Sequence, residues 1–430
     1  MTIYVNQNIP PVGNQIANLL PFSTYTIPIK NVKIEKDTEN VFIESNINFV
    51  FNDNILSLPT QFMNPSINII RHSHHHDLDV SITNGYQNLM VLLATGATGE
   101  TGSFGISETT AFNIYDESLK KGIYDYDLII LNGNTATTGV TSGSLEDPSD
   151  VVSFSISTYA VTLTTIKKNK STGVITMPPS GTSTAFIPSS NNYSFTIDKV
   201  PKRKKYHFYK LTVNAFFAFN PGNTPLIDIS IQRSNGDQVL NSNQHLLKFT
   251  GDVFLKFDLG INLSVVDMLP SDSYTVTFIN NSLMDVPIGY YSTVIELIDK
   301  RSFNQDYPLL GADDALSIAP YNIVSIPLTV NVKKDTKKIK LIFTGDVYNN
   351  EQGNILYNIR REDKSLMNNA QLYGVLQIDL PYLYPFEYNN TVMVVDEQPE
   401  KGLRNYYLDI ISLDNQTINC DYYCFTAQQK

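Results

Sequence analysis

The sequence predicts an all-β protein built from three tandem β-sandwich, jelly-roll-like domains, and three observations carry that expectation. The chain is rich in Ile, Val, Thr, Tyr and Phe, with 25 Tyr and 22 Phe but no Trp, and these side chains fit a pleated, half-buried surface. No long stretch sustains apolar residues at i, i+3, i+4 and i+7, whereas alternating runs such as Tyr159-Ala160-Val161-Thr162-Leu163 are common. Short elements also return in the same order far along the chain, the signature of internal repetition.

Taken in order, residues 1–23 carry little periodicity and read as an N-terminal arm, either ordered against a neighbour or frayed. The first domain spans 24–168 and opens with Ile27-Pro28-Ile29, Asn31-Val32-Lys33, Lys36-Asp37-Thr38 and Val41-Phe42-Ile43. The series returns as Ile326-Pro327-Leu328, Asn331-Val332-Lys333, Lys334-Asp335-Thr336 and Ile339-Lys340-Leu341. Proline is tolerated at a sheet margin, where its missing donor costs no ladder bond. Lys-Asp-Thr suits the polar turn between strands. Residues 132–150 form a polar loop, and 169–193, rich in Pro, Gly, Ser and Thr, read as a linker.

The second domain spans 194–300, a connector covers 301–320, and the third domain spans 321–430. Lys210-Leu211-Thr212-Val213 matches Lys338-Ile339-Lys340-Leu341, and Ile231 with Arg233 matches Ile359 with Arg360. Phe254–Leu259 matches Val375–Leu380 as an amphipathic strand ending in Asp-Leu. Tyr274–Phe278 is then set against Asn390–Val394, and Tyr290-Tyr291 against Tyr406-Tyr407. Phe-Thr-Gly-Asp-Val at 249–253 and 343–347 falls out of register and reads as coincidence. Seven to nine short strands per domain suit a two-sheet sandwich. Long loops and the lack of a Cys…Trp…Cys pattern favour jelly rolls over immunoglobulin-like units.

A net charge of −11 argues against broad nucleic-acid binding and against anionic membranes. No apolar run is long enough to span a bilayer. The N-terminus lacks a basic region followed by an apolar one, so no secretory leader is expected. Two cysteines make no disulfide framework. Cys420 and Cys424 are too far apart on a strand to bridge, and free buried thiols are expected.

His72, His74 and His76 would share one strand face, where His pairs at i, i+2 can chelate a transition metal. Competing readings are a pH-sensitive contact and a plain polar strand end. Lys202, Arg203, Lys204 and Lys205 form the dense basic run, a candidate partner-binding or nuclear-localisation segment, or simply a solvated loop. Gly96, Gly99, Gly102 and Gly105 repeat at the collagen period, too few for a stable triple helix, and read as a loop tip that points only weakly to a trimer. Asp258 and Asp379 read as strand-end caps. The chain has no nucleophile elbow, H-E-x-x-H, P-loop or dinucleotide fingerprint, so neither an enzyme nor a cofactor is expected.

Tandem jelly rolls of this Asn-, Ile- and Tyr-rich composition resemble the minor capsid, penton or fibre proteins of large DNA viruses and tailed phages. The resemblance rests on architecture and composition and has no family motif. It implies a structural virion subunit, assembled in the host cell interior, whose partners are other capsid or virion proteins and a homo-oligomer with a trimer favoured. Two other readings stand beside it: a glycan- or receptor-binding fibre or lectin-like module, and a bacterial or spore surface protein.

Overall fold

The structure is a computed structural model that describes the chain except residues 1, 11–13, 56–59, 96–101, 118, 134–152, 180–181, 203–206, 219–225, 250–255, 300–315, 350–354, 363–385, 414, 416 and 430. No α-helix occurs among the described residues, and none is therefore long and apolar enough to cross a membrane.

Twelve strands come first: β1 (Ile3–Asn8), β2 (Ala17–Leu19), β3 (Thr24–Ile34), β4 (Glu39–Ile55), β5 (Thr60–Met63), β6 (Pro65–Ser73), β7 (His76–Ser81), β8 (Gln87–Asn88), β9 (Met90–Thr95), β10 (Gly102–Asp116), β11 (Gly122–Asn132) and β12 (Phe154–Lys167). They make an inner sheet, β1-β12-β4-β10 with β2 also on β12, and an outer sheet, β3-β11-β6-β7. Numbering β2, β3, β4, β6, β7, β10, β11 and β12 from one to eight, order 1-8-3-6 faces order 2-7-4-5. That is the double Greek key of a jelly roll.

The order recurs in a second unit: β13 (Ser171–Thr176), β14 (Ala185–Ile187), β15 (Asn191–Ile197), β16 (His207–Phe217), β17 (Leu226–Arg233), β18 (Gln238–Phe249), β19 (Lys256–Asp267), β20 (Tyr274–Asn280) and β21 (Val286–Asp299). Here β14 pairs with β21 beside β21-β16-β19, facing β15-β20-β17-β18. A third unit holds β22 (Leu316–Ile318), β23 (Ile323–Val332), β24 (Ile339–Asn349), β25 (Ile355–Arg361), β26 (Phe386–Asp396), β27 (Gly402–Ser412) and β28 (Ile418–Gln429). Its sheets run β22-β28-β24-β26 and β23-β27-β25.

The outer strands have the alternation of a half-buried sheet. Along β23, Ile326, Leu328, Val330 and Val332 are buried and the residues between them exposed. Burying each such side chain contributes roughly 1.5–3 kcal/mol. Pro28 and Pro327 lie within β3 and β23, which are edge strands, so the absent N–H leaves no ladder bond unmade. The inner strands differ. β16 points Leu211, Val213 and Ala215 into its sandwich and Lys210, Thr212 and Asn214 the other way, yet all six are buried. The second face is covered by the neighbouring units.

Strands also cross between units. β9 pairs with β19, Met90 opposite Leu259, and β18 pairs with β26, Leu247 opposite Tyr388. Gly260 N–H donates to Leu89 O at 2.9 Å. A Cβ on Gly260 would lie 2.8 Å from that oxygen and 3.2 Å from Tyr290 Oη, so the joint requires glycine.

Several sequence expectations change. The arm, the linker and the connector all contribute strands: β1 and β2 pair with β12, β13 and β14 with β21, and β22 with β28. β2, β14 and β22 have three residues each, too few to show alternation, and the six-residue β1 and β13 are half polar with no clean period of two. Tyr274–Phe278 lies in β20, mid-sheet in an outer layer, whereas Asn390–Val394 lies in β26 of an inner layer. Tyr290-Tyr291 and Tyr406-Tyr407 are likewise in non-equivalent strands, β21 and β27. Period-two patterns look alike wherever a strand sits, which explains both mismatches. The match of 254–259 with 375–380 falls mostly outside the described residues, as do Gly96, Gly99 and Asp379. Gly102 and Gly105 lie in β10, antiparallel to Ile55 and Asn52, a pairing that excludes a triple helix for those two. Asp258 lies within β19 opposite Val91, where it does not end the strand.

Candidate functional site

Each inner sheet supplies one strand to a buried junction at the centre of the molecule. Opposite the C-terminal Asp of β10, β19 and β26 stand Val41, Tyr209 and Ile339. The next residues, Phe42, Lys210 and Lys340, are equivalent, and they converge. Glu44 Oε1 accepts from Lys210 Nζ at 3.2 Å, and Glu44 Oε2 accepts from Lys340 Nζ. Lys340 Nζ also lies 5.9 Å from the centre of the Phe42 ring, within cation–π range. Thr162 Oγ1 donates to Glu44 Oε2 at 3.5 Å.

All three charged side chains are at most 4% exposed. Burial alone would drive the Glu44 carboxyl toward neutrality, but Lys210 and Lys340 together hold it at about 2. Burial pushes Lys340 down despite Glu44, whereas Glu44 and Glu296 together outweigh burial at Lys210 and raise it. Glu296, opposite Lys210 on β21, is itself buried, with both carboxylate oxygens lacking a hydrogen-bond partner among the described residues. Glu296 adds a second carboxyl group beside the two lysines.

A second arrangement locks each sandwich. Asp116 accepts from Arg71 Nη1 at 2.6 Å and from Tyr126 Oη at 2.8 Å. Asp267 accepts from Arg233 Nε and Nη2, both at 2.8 Å, and from Tyr274 Oη at 2.7 Å. Asp396 accepts from Arg361 Nε at 3.1 Å, Arg361 Nη2 at 2.6 Å and Tyr406 Oη at 2.8 Å. In every unit the Arg and Tyr are cross-strand partners in the outer sheet. Burial, reinforced by the Asp charge, raises all three tyrosine hydroxyls. Sequence reading matched the arginine strands, from Ile231 with Arg233, but missed Asp and Tyr. The available signal was an apolar-Asp ending on β10, β19 and β26.

The third recurring feature is exposed. Phe22, Ser190 and Tyr321 occupy the turn before β3, β15 and β23, with φ of 59°, 54° and 54°. The closing bonds match: Ser23 N to Leu20 O at 3.0 Å, Asn191 N to Pro188 O at 3.1 Å and Asn322 N to Ala319 O at 3.1 Å. Left-handed backbone is costly for an aromatic residue, and such strain is concentrated at functional positions. Tyr321 is 72% exposed and Phe22 44%.

The predicted site residues are placed as follows. His72 lies on β6, with Nδ1 2.7 Å from Asp79 Oδ1 and Nε2 3.1 Å from Asp127 Oδ2. The chain turns at His74-His75, and His76 opens β7 opposite Ser73, so the three histidines do not form a row on one strand. His74 Nε2 meets Asp125 Oδ1 at 3.1 Å, and Lys30 bridges Asp125 and Asp127. The result is a ladder of imidazole–carboxylate and Lys30–carboxylate contacts across the first outer sheet. Among the described residues no set of three His, Cys, Asp or Glu side chains is placed to hold a metal. Lys202 is exposed after β15, while Arg203, Lys204 and Lys205 lie outside the described residues. Cys420 and Cys424 are buried on β28 with no disulfide between them, and burial pushes Cys424 up to about 12.

No known family profile matches the chain, and no curated protein matches its sequence. Solved structures it is similar to include wild-type BuGH86 in complex with neoagarooctaose, at 11% identity over 65% of this chain and 33% of that one, with a TM-score of 0.21. They also include infectious bursal disease virus Gt strain, at 10% identity over 98% and 81% with a TM-score of 0.18, and Sulfolobus turreted icosahedral virus, at 11% over 100% and 90% with a TM-score of 0.17. The chain spans about a third of the length of the first of these. Scores this low establish no shared fold, so the topology rests on the strand pairing alone.

Proposed function

We propose that the chain is a non-enzymatic structural component of a virus particle, a minor capsid, penton or fibre protein acting through subunit contacts. The observation that carries this reading is the exposed turn before the second jelly-roll strand. In the first and third units it presents Leu20 with Phe22 and Tyr321 with Ile323, and in the second Phe186 stands exposed on the adjoining β14. Aromatic residues held in left-handed backbone on rigid sandwiches give large contact area at little entropic cost. Strands shared between units support the reading further, because they make the chain a single block suited to bearing load between neighbours.

Cryo-EM of the particles that contain the chain tests the proposal. Density for the three turns against neighbouring subunits is the expected result, and solvent on all three sides would remove it. A glycan- or receptor-binding role is the second reading, favoured by the exposure of Tyr321 as a stacking platform. A glycan array with the isolated chain separates the two. Selective binding abolished by Tyr321→Ala would establish the second.

A further inference from the structure

We infer that the three sandwiches form a closed ring about a pseudo-threefold axis, and that the ionised carboxylate of Glu44 clasps it, so that acid opens the ring before the sandwiches unfold. Closure follows from equivalent contacts made in one rotational sense. Three residues before the terminal Asp of β10, β19 and β26 stand Asn113, Ser264 and Met393. Ser292 Oγ on β21 donates to Asn113 O at 3.0 Å, joining the second unit to the first. Tyr422 Oη on β28 donates to Ser264 O at 2.7 Å, joining the third to the second. Thr162 Oγ1 on β12 lies 3.7 Å from Met393 Sδ, joining the first to the third. Each time the last strand of one unit meets the same position in the next, which closes a ring.

The ring is held by polar and apolar contacts together: one continuous core cluster runs through all three sandwiches, and the rings of Phe112 in the first unit and Tyr290 in the second meet edge to face at 5.4 Å. Asn46 Nδ2 donates to Thr391 O at 2.5 Å, Asn214 Nδ2 to Asn113 O at 3.3 Å and Thr391 Oγ1 to Asn262 O at 3.2 Å. The small apolar patches on this face are Phe42 with Tyr115, Ile166 and Val294, and Ala160 with Ile342 and Met393. At the centre one carboxylate serves ammonium groups from two other units. The titratable groups around Glu44 are Lys210 on β16 and Lys340 on β24. Around those lysines stand Glu296 on β21 and Cys424 on β28, with Tyr115 on β10 beside Glu296. Neutralising Glu44 leaves two buried ammonium groups facing each other with Glu296 alone to offset them, and an uncompensated buried charge is expelled to water.

The sign is that of a depressed carboxylate. The stabilisation is present above the ordinary value of 4.5 and is lost as pH falls toward about 2. At Asp116 the shift runs the other way: burial raises it despite Arg71 and Tyr126. Asp116 therefore takes up its proton at a higher pH than Glu44, and by the same linkage that step does not destabilise the fold, whereas protonation of Glu44 does.

The test follows the full chain by small-angle scattering and hydrogen exchange from pH 7 to pH 2. The expected result is a larger radius of gyration and lost protection in β12, β21 and β28 while the outer-sheet amides stay protected. Glu44→Gln is expected to give the enlarged form at neutral pH. Replacing all four groups together, Glu44→Met with Lys210→Met, Lys340→Met and Glu296→Gln, is expected to keep the ring compact throughout, because no buried charge is then left without its partner. Three outcomes overturn the inference: a compact Glu44→Gln chain at every pH, loss of outer-sheet protection at the same pH as ring opening, or a quadruple variant that opens in acid like the wild type. If Glu44→Gln does not fold, the wild-type titration and the quadruple variant decide.

Discussion

At the scale of single residues, the Asp-Arg-Tyr locks show how one buried carboxylate can hold two sheets together. Asp267 is fully buried and takes two bonds from Arg233 and one from Tyr274. Asp267→Ala leaves the half-buried Arg233 guanidinium with only the Gln238 carbonyl among the described residues and strands the buried Tyr274 hydroxyl, and is expected to cost about 2–3 kcal/mol. Tyr274→Phe removes one bond and is expected to cost about 1 kcal/mol. Urea midpoints of the two variants measure both, and equal losses would show that the guanidinium pairing contributes nothing. Cys424 makes a separate prediction. Its thiol, raised to about 12 by burial, is expected to resist iodoacetamide at pH 8 in the native chain and to react fully in urea. Mass spectrometry reads the difference.

At the scale of elements, two features link local geometry to contact. Tyr321 holds φ at 54°, so Tyr321→Gly relieves strain, and the gain partly offsets the entropy lost by glycine. Its stability is expected to change by under about 1 kcal/mol. If the chain has the structural role proposed above, incorporation into particles is nevertheless expected to fall, because the exposed ring is gone. A variant that loses incorporation only in proportion to stability would argue for a purely structural turn. Gly260 makes the opposite kind of prediction. A methyl group there meets Leu89 O at 2.8 Å, and Gly260→Ala is expected to cost about 1–3 kcal/mol by overpacking. Faster hydrogen exchange at β9 and β19 would locate the damage at the joint between the first and second units.

At the scale of the whole molecule, the units are tied by shared strands and by the junction around Glu44. Calorimetry at neutral pH is therefore expected to show one cooperative transition, and Glu44→Gln more than one. The ties between units were not legible in the sequence, but the order of strands within them partly was. The recurrence of Ile27-Pro28-Ile29 and Lys36-Asp37-Thr38 at 326–328 and 334–336 located β3 with β4 and β23 with β24 as equivalent pairs. The alternation along β16 was equally visible, but it reads as core on one side and water on the other. The candidate junction escaped notice for that reason. Lys210, Thr212 and Asn214 look like a solvent face, and nothing local marks them as covered by two other sandwiches.

The sequence alone determined the all-β class, the core-facing residues of the outer strands and the recurrence of the first long strands. Backbone geometry sets a period of two, and alternation is therefore written locally. Only the tertiary structure decided which polar faces are buried, which Asp meets which Arg and Tyr, and how three inner sheets converge on one carboxylate. Glu44 lies 166 residues from Lys210 and 296 from Lys340. Contacts across such separations depend on how whole sandwiches pack, a property no window of sequence contains.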